Sequence, residues 1–220
     1  MMKVQRVSEI IFCYLIPLVF LGAFLHSSVT EIQYGLHRDY AEGTTLAYIE
    51  HWRTHASEPR SIYSPEAMMP GQVMGYPFLH LGLVSLFSQD ASQALMIGRS
   101  LSVICALLVS IVAWLILRRT LHLSLKYLPL LTTLIIYQSA VFDWSLLARS
   151  DLLAYLFEIL GLYFYLSEWD QKDKTHWKTL FLFAASFCCK QNYILGPLVV
   201  IALECIYNKK NFFRKAPLYI

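Results

Sequence analysis

The sequence predicts an all-α protein, a polytopic transmembrane helix bundle with an amphipathic helix in an outer loop. Two observations carry this prediction. Hydrophobic residues make up 57% of the 220 residues and charged residues only 15%, and the mean hydropathy of +0.49 is far above that of a soluble domain. The apolar residues also form unbroken blocks separated by charge clusters, whereas a soluble protein distributes them over short amphipathic elements.

Each apolar block is a candidate for a membrane crossing. Four are clear, at residues 10–25, 95–117, 127–142 and 152–166. A fifth region, residues 179–207, is too long for one comfortable crossing and is interrupted by "CCKQN", so it is either one tilted helix or two short helices that meet near Lys190. The first block follows positive residues and predicts an uncleaved anchor, with a cleaved signal peptide as the alternative.

The distribution of lysines favours two short helices over one tilted helix in residues 179–207. If residues 179–207 form a hairpin, eight of the nine lysines fall on the cytoplasmic side and only Lys190 lies outside. We therefore expect a single transmembrane domain over residues 1–220, with about six crossings and both termini cytoplasmic. The formal net charge of +3 is small and its basic residues lie at block ends, so no nucleic-acid partner is expected. The five cysteines all lie in apolar blocks and receive no function.

The outer loop, residues 27–93, contains two further apolar elements. In residues 39–54, Leu46, Ile49 and Trp52 recur near helical spacing, which predicts a helix lying on the membrane interface. A stretch rich in helix breakers follows at residues 57–77. Residues 78–87 are apolar but too short to span, so we expect them to lie in the interface or dip into it.

The first outer helix begins with two acidic residues that have two interpretations. Asp39 followed by Glu42 is the pattern of a capping box, in which both side chains satisfy backbone donors. Gly43 disfavours a helix and indicates that something approaches the backbone closely there. In the predicted topology further ionisable residues face the same side, which favours a polar site over simple interfacial anchoring: Asp143, Arg149, Asp151 and Lys190.

Five segments carry a family resemblance in a fixed order: "RDYAEG", "YSPEAMMPGQVMGYPFLHLGLVSLF", "GRSLSVICALLVSIVAWLI", "LLARSDLLAYLFEILGLYFY" and "CCKQNYILGPL". Together they resemble the polytopic glycosyltransferases of the GT-C class, in particular bacterial members that use a polyprenyl-phosphate-linked sugar. The similarity runs over residues 8–205, although no single segment is specific. Relatives often have a second proline near Tyr76. They are usually much longer, which implies that this chain is an amino-terminal fragment.

The resemblance implies an enzyme that transfers a hexosyl or pentosyl unit with inversion at the outer face of the bacterial inner membrane. The donor would be a polyprenyl-phosphate-linked sugar, and the acceptor a cell-envelope glycan, lipid or protein. Asp39 would be the catalytic base with Glu42 in support, and Lys190 would contact the lipid phosphate. Further substrate contacts would be Arg149, Asp151, Gln191 and Tyr76. No cofactor is implied with certainty, and a role for a divalent metal stays open.

A different class of function remains as the alternative. In a non-catalytic transporter-like or assembly protein, the outer acids would only cap helices, and the intramembrane acids Glu158 and Glu204 would be the transport residues. Structural hydrogen bonds between helices would also explain these two acids. Arg99, near the outer end of its block, is expected to extend its charged group toward the interface, and His80 has no ligand-like spacing.

Overall fold

The structure is a computed structural model of the chain and describes residues 7–36, 38, 40–54, 78–169 and 176–207. In these ranges all the regular elements are helices, which confirms the predicted all-α class. They are α1 (Val7–Gln33), α2 (Tyr40–Thr54), α3 (Phe78–Phe87), α4 (Ala91–Leu121), α5 (Leu128–Ile136), α6 (Ser139–Ser145), α7 (Asp151–Ser167), α8 (Trp177–Cys189) and α9 (Leu195–Tyr207).

Two of the described helices are long and apolar enough to cross a membrane by themselves. Helix α1 has 27 residues and helix α4 has 31, so at about 1.5 Å per residue each exceeds the roughly 30 Å hydrocarbon core of a bilayer. Helix α1 opens with a π-helical stretch at Ile11–Leu15, just before Pro17, whose missing N–H removes a backbone donor. Integral membrane character is therefore built into these two helices.

The block at residues 127–142, predicted as a membrane crossing, is bent rather than straight, and the bent pair is either a broken span or a re-entrant loop. Helices α5 and α6 meet at a bend of 79° around Tyr137 and Gln138. The Tyr137 hydroxyl donates to the carbonyl of Phe20 at 2.8 Å, and its ring stacks on Phe142 with centroids 5.4 Å apart. The contact with Phe20 is long-range and no Pro or Gly stands at residues 137–138, so the sequence carries no local mark of the break.

The hairpin predicted for residues 179–207 is confirmed. Helix α8 ends at Cys189, and Lys190 contacts Asp151 at the start of α7, so α8 runs antiparallel to α7. Helix α9 runs back in the opposite direction, because its last residue, Tyr207, packs on Trp169 just beyond the end of α7. The turn between the two helices therefore places Lys190 at the same end of the bundle as Asp151.

Polar contacts of the described residues lie at the two ends of the bundle. At one end, Lys126 pairs with Glu9 and Arg119 donates to the carbonyl of Ser167 at 3.1 Å, which joins the start of α1 to both loops predicted to be cytoplasmic. Helix α2, the start of α7 and Lys190 lie at the other end. The structure thus separates the predicted inner and outer segments.

We expect a cysteine at position 60 to react with a membrane-impermeant maleimide from outside the cell, because the lysine bias places residues 27–93 outside. The Arg60→Cys substitution is made after replacement of the five native cysteines. A matched Ser124→Cys variant, in the loop between α4 and α5, should react only after permeabilisation. The reverse pattern would overturn the orientation.

The two short helices of the outer loop pack on the bundle. Helix α2 begins and ends within one residue of its predicted bounds, and α3 has the predicted bounds. Their apolar faces form a small core with the start of α4, in which no member is more than 2% exposed: Tyr48, Ile49, Leu81, Val84 and Ala94. Helix α2 therefore packs on α3 and α4, which offer it a complementary apolar surface, and its predicted position at the membrane interface stays a prediction.

Candidate functional site

A buried ion pair fixes the start of α2. The Glu42 and Arg99 side chains are both 0% exposed, and the guanidinium binds the carboxylate through two parallel hydrogen bonds, Nε to Oε1 at 2.9 Å and Nη2 to Oε2 at 2.8 Å. This two-point geometry compensates much of the cost of removing both charges from water. The pair therefore joins the first turn of α2 to α4.

Arg99 does not extend toward the interface, so that expectation is wrong. Its remaining N–H groups donate to backbone carbonyls of the chain between α1 and α2: Nη1 to Glu31 and Tyr34 at 2.5 and 2.6 Å, and Nη2 to Leu36 at 2.8 Å. All five donors of the guanidinium are thus used. Arg99 is a buried anchor for residues 31–36, because its guanidinium ties three carbonyls of this segment to α4.

Glu42 has further backbone partners. Its carboxylate accepts from the N–H of Arg38 at 2.7 Å and from the N–H of Ala148 at 2.8 Å. Burial raises the pKa of Glu42, but the hydrogen bonds from Arg99, Ala148 and Arg38 outweigh it and hold the pKa below its usual value. These bonds occupy the carboxylate. Glu42 was predicted to support Asp39, and its contacts hold the neighbouring chain at Arg38 in place.

Asp151, Arg149 and Lys190 form the second polar group, and their predicted proximity is present in the structure. Asp151 Oδ1 accepts from Lys190 Nζ at 2.5 Å, and Asp151 Oδ2 from Arg149 Nε at 3.0 Å. Asp151 is 2% exposed, whereas the Lys190 and Arg149 side chains retain 15% and 19% exposure. One buried carboxylate thus orients two cations.

The two polar groups are neighbours. The Glu42 carboxylate bonds the backbone of Ala148, which directly precedes Arg149. The Ser102 hydroxyl, three residues after Arg99 in the chain, lies 3.4 Å from the carbonyl of Arg149. The outer-loop helix and the cation cluster therefore belong to one end of the bundle and share the short segment between α6 and α7.

The other predicted site residues are not part of these contacts. Asp39 and Tyr76 lie outside the described residues, so their catalytic and substrate-binding roles stay predictions. Gln191 is exposed in the turn after Lys190, where a substrate could reach it. Asp143 is exposed on α6 and shows no described contact with the cluster.

Sequence reasoning missed His80, the only polar side chain apart from Ser85 in the apolar helix α3. The imidazole is 1% exposed, and neither ring nitrogen has a hydrogen-bond partner in the described part of the chain. Burial lowers the pKa of His80 to about 4 against the opposing field of the nearby Asp151 carboxylate, so the ring is neutral at pH 7. A lone histidine in an apolar block was the signal available.

The two intramembrane acids bridge helices. Glu158 Oε1 accepts from the backbone N–H of Gly196 at 2.5 Å, and Glu204 Oε1 accepts from the hydroxyl of Tyr165 at 2.9 Å. A Cβ on Gly196 would lie 2.6 Å from Glu158 Cγ, so the glycine permits this approach. Both contacts join α7 to α9, as expected if the two acids serve as structural hydrogen bonds between helices.

An apolar groove of 590 Å³ lies between α8 and α9. Its lining includes Phe183, Phe187, Leu198 and, at the turn of the hairpin, Tyr193. The Tyr193 ring lies 6.4 Å from that of Tyr155, one turn after Asp151 on α7. The groove therefore begins close to the cation cluster.

Metal binding has no preassembled site in the part of the chain that the structure describes. No three His, Cys, Asp or Glu side chains come together there in a metal-binding arrangement. Comparison of the chain with protein-family models, with curated proteins and with solved structures finds no match.

Proposed function

We propose that the chain is a membrane glycosyltransferase that moves a sugar from a polyprenyl-phosphate donor to an acceptor at the outer face of the membrane. The observation that carries the proposal is the Arg149–Asp151–Lys190 cluster, which places two oriented cations at the end of a bundle of apolar helices. A phosphate at a membrane surface is the ligand that such a cluster fits. The neighbouring helix α2 begins one residue after Asp39, the predicted base.

The cation cluster suits a departing lipid phosphate. In the proposed reaction the acceptor oxygen attacks the anomeric carbon, and the bond from that carbon to the phosphate oxygen breaks with its electron pair. Negative charge then develops on the lipid phosphate, where fixed cations stabilise it. Lys190 and Arg149 are already oriented by Asp151, so little reorganisation is needed as the charge develops.

The acceptor side of the reaction needs a base close to the phosphate site. Asp39 would take the proton that the acceptor hydroxyl loses as it attacks. The described residues on either side of Asp39 are held: the N–H of Arg38 donates to Glu42, and the Arg38 guanidinium pairs with Glu31 at 2.5 Å. This anchoring supports a catalytic position at the start of α2, since a base must be held within hydrogen-bond reach of its proton.

The groove between α8 and α9 supports a lipid-borne donor. It is mainly apolar, opens beside the cluster and matches the chemistry of an isoprenyl chain, whose phosphate would meet Lys190. Burial of such a chain contributes about 25 cal/mol to the binding free energy for each Å² of apolar surface that is removed from water. Within the bilayer the gain is smaller, so the charged headgroup contacts decide specificity.

Replacing Lys190 with alanine is expected to weaken use of the donor, raising its KM by roughly 10-fold or more, because a charge-assisted hydrogen bond to phosphate is lost. Steady-state transfer from a polyprenyl-phosphate-linked sugar measures the effect. The matched variant Lys178→Ala, at the opposite end of the bundle, should leave KM unchanged. Equal KM values for both variants and the unsubstituted protein would contradict the phosphate assignment.

A further inference from the structure

His80 is a buried polar side chain whose ring nitrogens find no hydrogen-bond partner among the described residues. A buried polar group that makes no hydrogen bond lowers the stability of the fold. Phenylalanine would fill the same place on the apolar helix α3 at no such cost. An uncompensated polar group of this kind is typical of a functional position.

Its surroundings point to the cation cluster. Leu79 and Leu83, its neighbours on the same helix, pack against the core that contains Leu152 and Cys189. These two core residues directly follow Asp151 and directly precede Lys190 in the chain. Helix α3 also contacts α8, the helix that ends at Lys190. Helix α3 thus lies against the helix that leads to Lys190, and the Asp151 carboxylate is near enough to act electrostatically on the His80 ring.

A second buried polar atom lies at the same place. The Ser150 hydroxyl, between Arg149 and Asp151 in the chain, has no hydrogen-bond partner in the described residues and is only 2% exposed as a residue. Near the carboxylate of Asp151 the described residues thus bring together two cations, a neutral imidazole and a hydroxyl. Together these side chains offer several hydrogen-bond donors, two of them charged, which is the chemistry that binds a phosphate oxyanion.

We propose that His80 is a ligand-contact residue of the Arg149–Asp151–Lys190 cluster and donates a ring N–H to an oxygen of a bound phosphate monoester or diester. That the phosphate is carried by an isoprenyl lipid rests on the proposed function. The contact itself does not, since a free phosphate offers the same oxygens. A phosphate oxygen would supply the acceptor that the imidazole N–H lacks among the described residues. The stability lost by burying the imidazole is then regained when the ligand binds.

The test compares binding and stability in two histidine-to-phenylalanine variants of the purified full chain. His80→Phe should weaken binding of farnesyl phosphate by roughly 10- to 100-fold, the value of a hydrogen bond to a charged group. Its unfolding temperature should stay the same or rise, because no hydrogen bond within the protein is lost. His80→Gln, which keeps an N–H donor, should retain most of the affinity.

The matched control lies at the other end of the bundle. His176 is 2% exposed, but its Nδ1 lies 3.2 Å from Glu168 Oε2 and its ring packs edge-on against Tyr165. His176→Phe should therefore lower the unfolding temperature and leave farnesyl phosphate binding unchanged. If His80→Phe shows this same pattern, His80 is structural and the proposal fails.

A measurement on the unsubstituted protein keeps the proposal testable if a variant does not fold. With ¹⁵N-labelled histidine, the His80 ring resonance among the seven histidines should shift on addition of farnesyl phosphate and stay in place with farnesol. No shift with the phosphate overturns the contact. An equal shift with inorganic phosphate at the same concentration overturns the claim that the phosphate is carried by an isoprenyl lipid.

The outcomes also separate this inference from the proposed function. Binding of farnesyl phosphate that depends on His80, in a protein that transfers no sugar from any polyprenyl-phosphate donor, supports the contact and removes the transferase. Normal transfer kinetics in His80→Phe support the transferase and remove the contact.

Discussion

Replacing Asp39 with asparagine is expected to lower the rate of sugar transfer by about 10²- to 10⁴-fold, the usual contribution of a general base. Asparagine cannot take the proton that the acceptor hydroxyl loses. It caps a helix about as well as aspartate does, so the unfolding temperature should change little. The rate is measured with a polyprenyl-phosphate-linked sugar donor, and the unfolding temperature is followed in the same preparation.

The control is Glu158→Gln. Glutamine has the same length and keeps an oxygen for the N–H of Gly196, so transfer should stay near the unsubstituted rate. A transporter-like protein that uses Glu158 would show the reverse pattern, with loss of function in Glu158→Gln and none in Asp39→Asn. Near-normal transfer by Asp39→Asn would leave Asp39 with only its capping role.

Replacing Arg99 with methionine is expected to lower the free energy of unfolding by about 3–5 kcal/mol, the usual cost of removing one partner of a buried ion pair. Methionine fills part of the space, but the Glu42 carboxylate then stays buried without its cation. The carbonyls of Glu31, Tyr34 and Leu36 also lose the hydrogen bonds that the guanidinium donates. Thermal and denaturant unfolding in detergent micelles measure the loss.

The stability difference between the Arg99→Met variant and the unsubstituted protein should also depend on pH. In the unsubstituted protein the pKa of Glu42 is held below 4.5, so its contribution is present above that pH and is lost as the pH falls through the lowered value. Without Arg99, burial acts unopposed by the cation and should raise the pKa above 4.5. The variant should therefore gain stability relative to the unsubstituted protein as the pH falls from 7 towards 5.

A double variant provides the control. Arg99→Met combined with Glu42→Gln leaves no buried charge at this pair, so it should recover part of the stability that Arg99→Met loses. With the Glu42→Gln single variant measured as well, the double-mutant cycle gives the coupling energy of the pair. An Arg99→Met variant within about 0.5 kcal/mol of the unsubstituted protein, which is typical of a surface substitution, would show that the pair does not anchor α2.

Part of the site could be predicted because it depends on where helices end. Arg149, Asp151 and Lys190 interrupt or flank apolar blocks, and a polytopic arrangement brings such positions to the same end of a bundle. Which of these residues pairs with which could not be predicted. Asp151 lies at the centre as the shared counter-ion of both cations, whereas the sequence placed it beside them as one more substrate contact.

The partner of Glu42 was also beyond sequence reasoning. Arg99 lies 57 residues away, on a helix whose position relative to α2 depends on how α3 packs between them. The capping pattern predicted a local role for Glu42, and the bond to the N–H of Arg38 is local in that sense. The buried pair with Arg99 and the bond to Ala148 are long-range, so no short motif encodes them.

The sequence by itself determined the all-α class, the bounds of α2 and α3, and the break at Lys190, because runs of apolar residues and their interruptions act through neighbours along the chain. Only the tertiary structure decided which polar groups meet, where the chain bends at Tyr137, and that His80 is buried without a partner. The physical reason is that burial depends on which surfaces face each other. An arginine or histidine at the edge of an apolar block becomes an anchor or a ligand contact only when other helices enclose it.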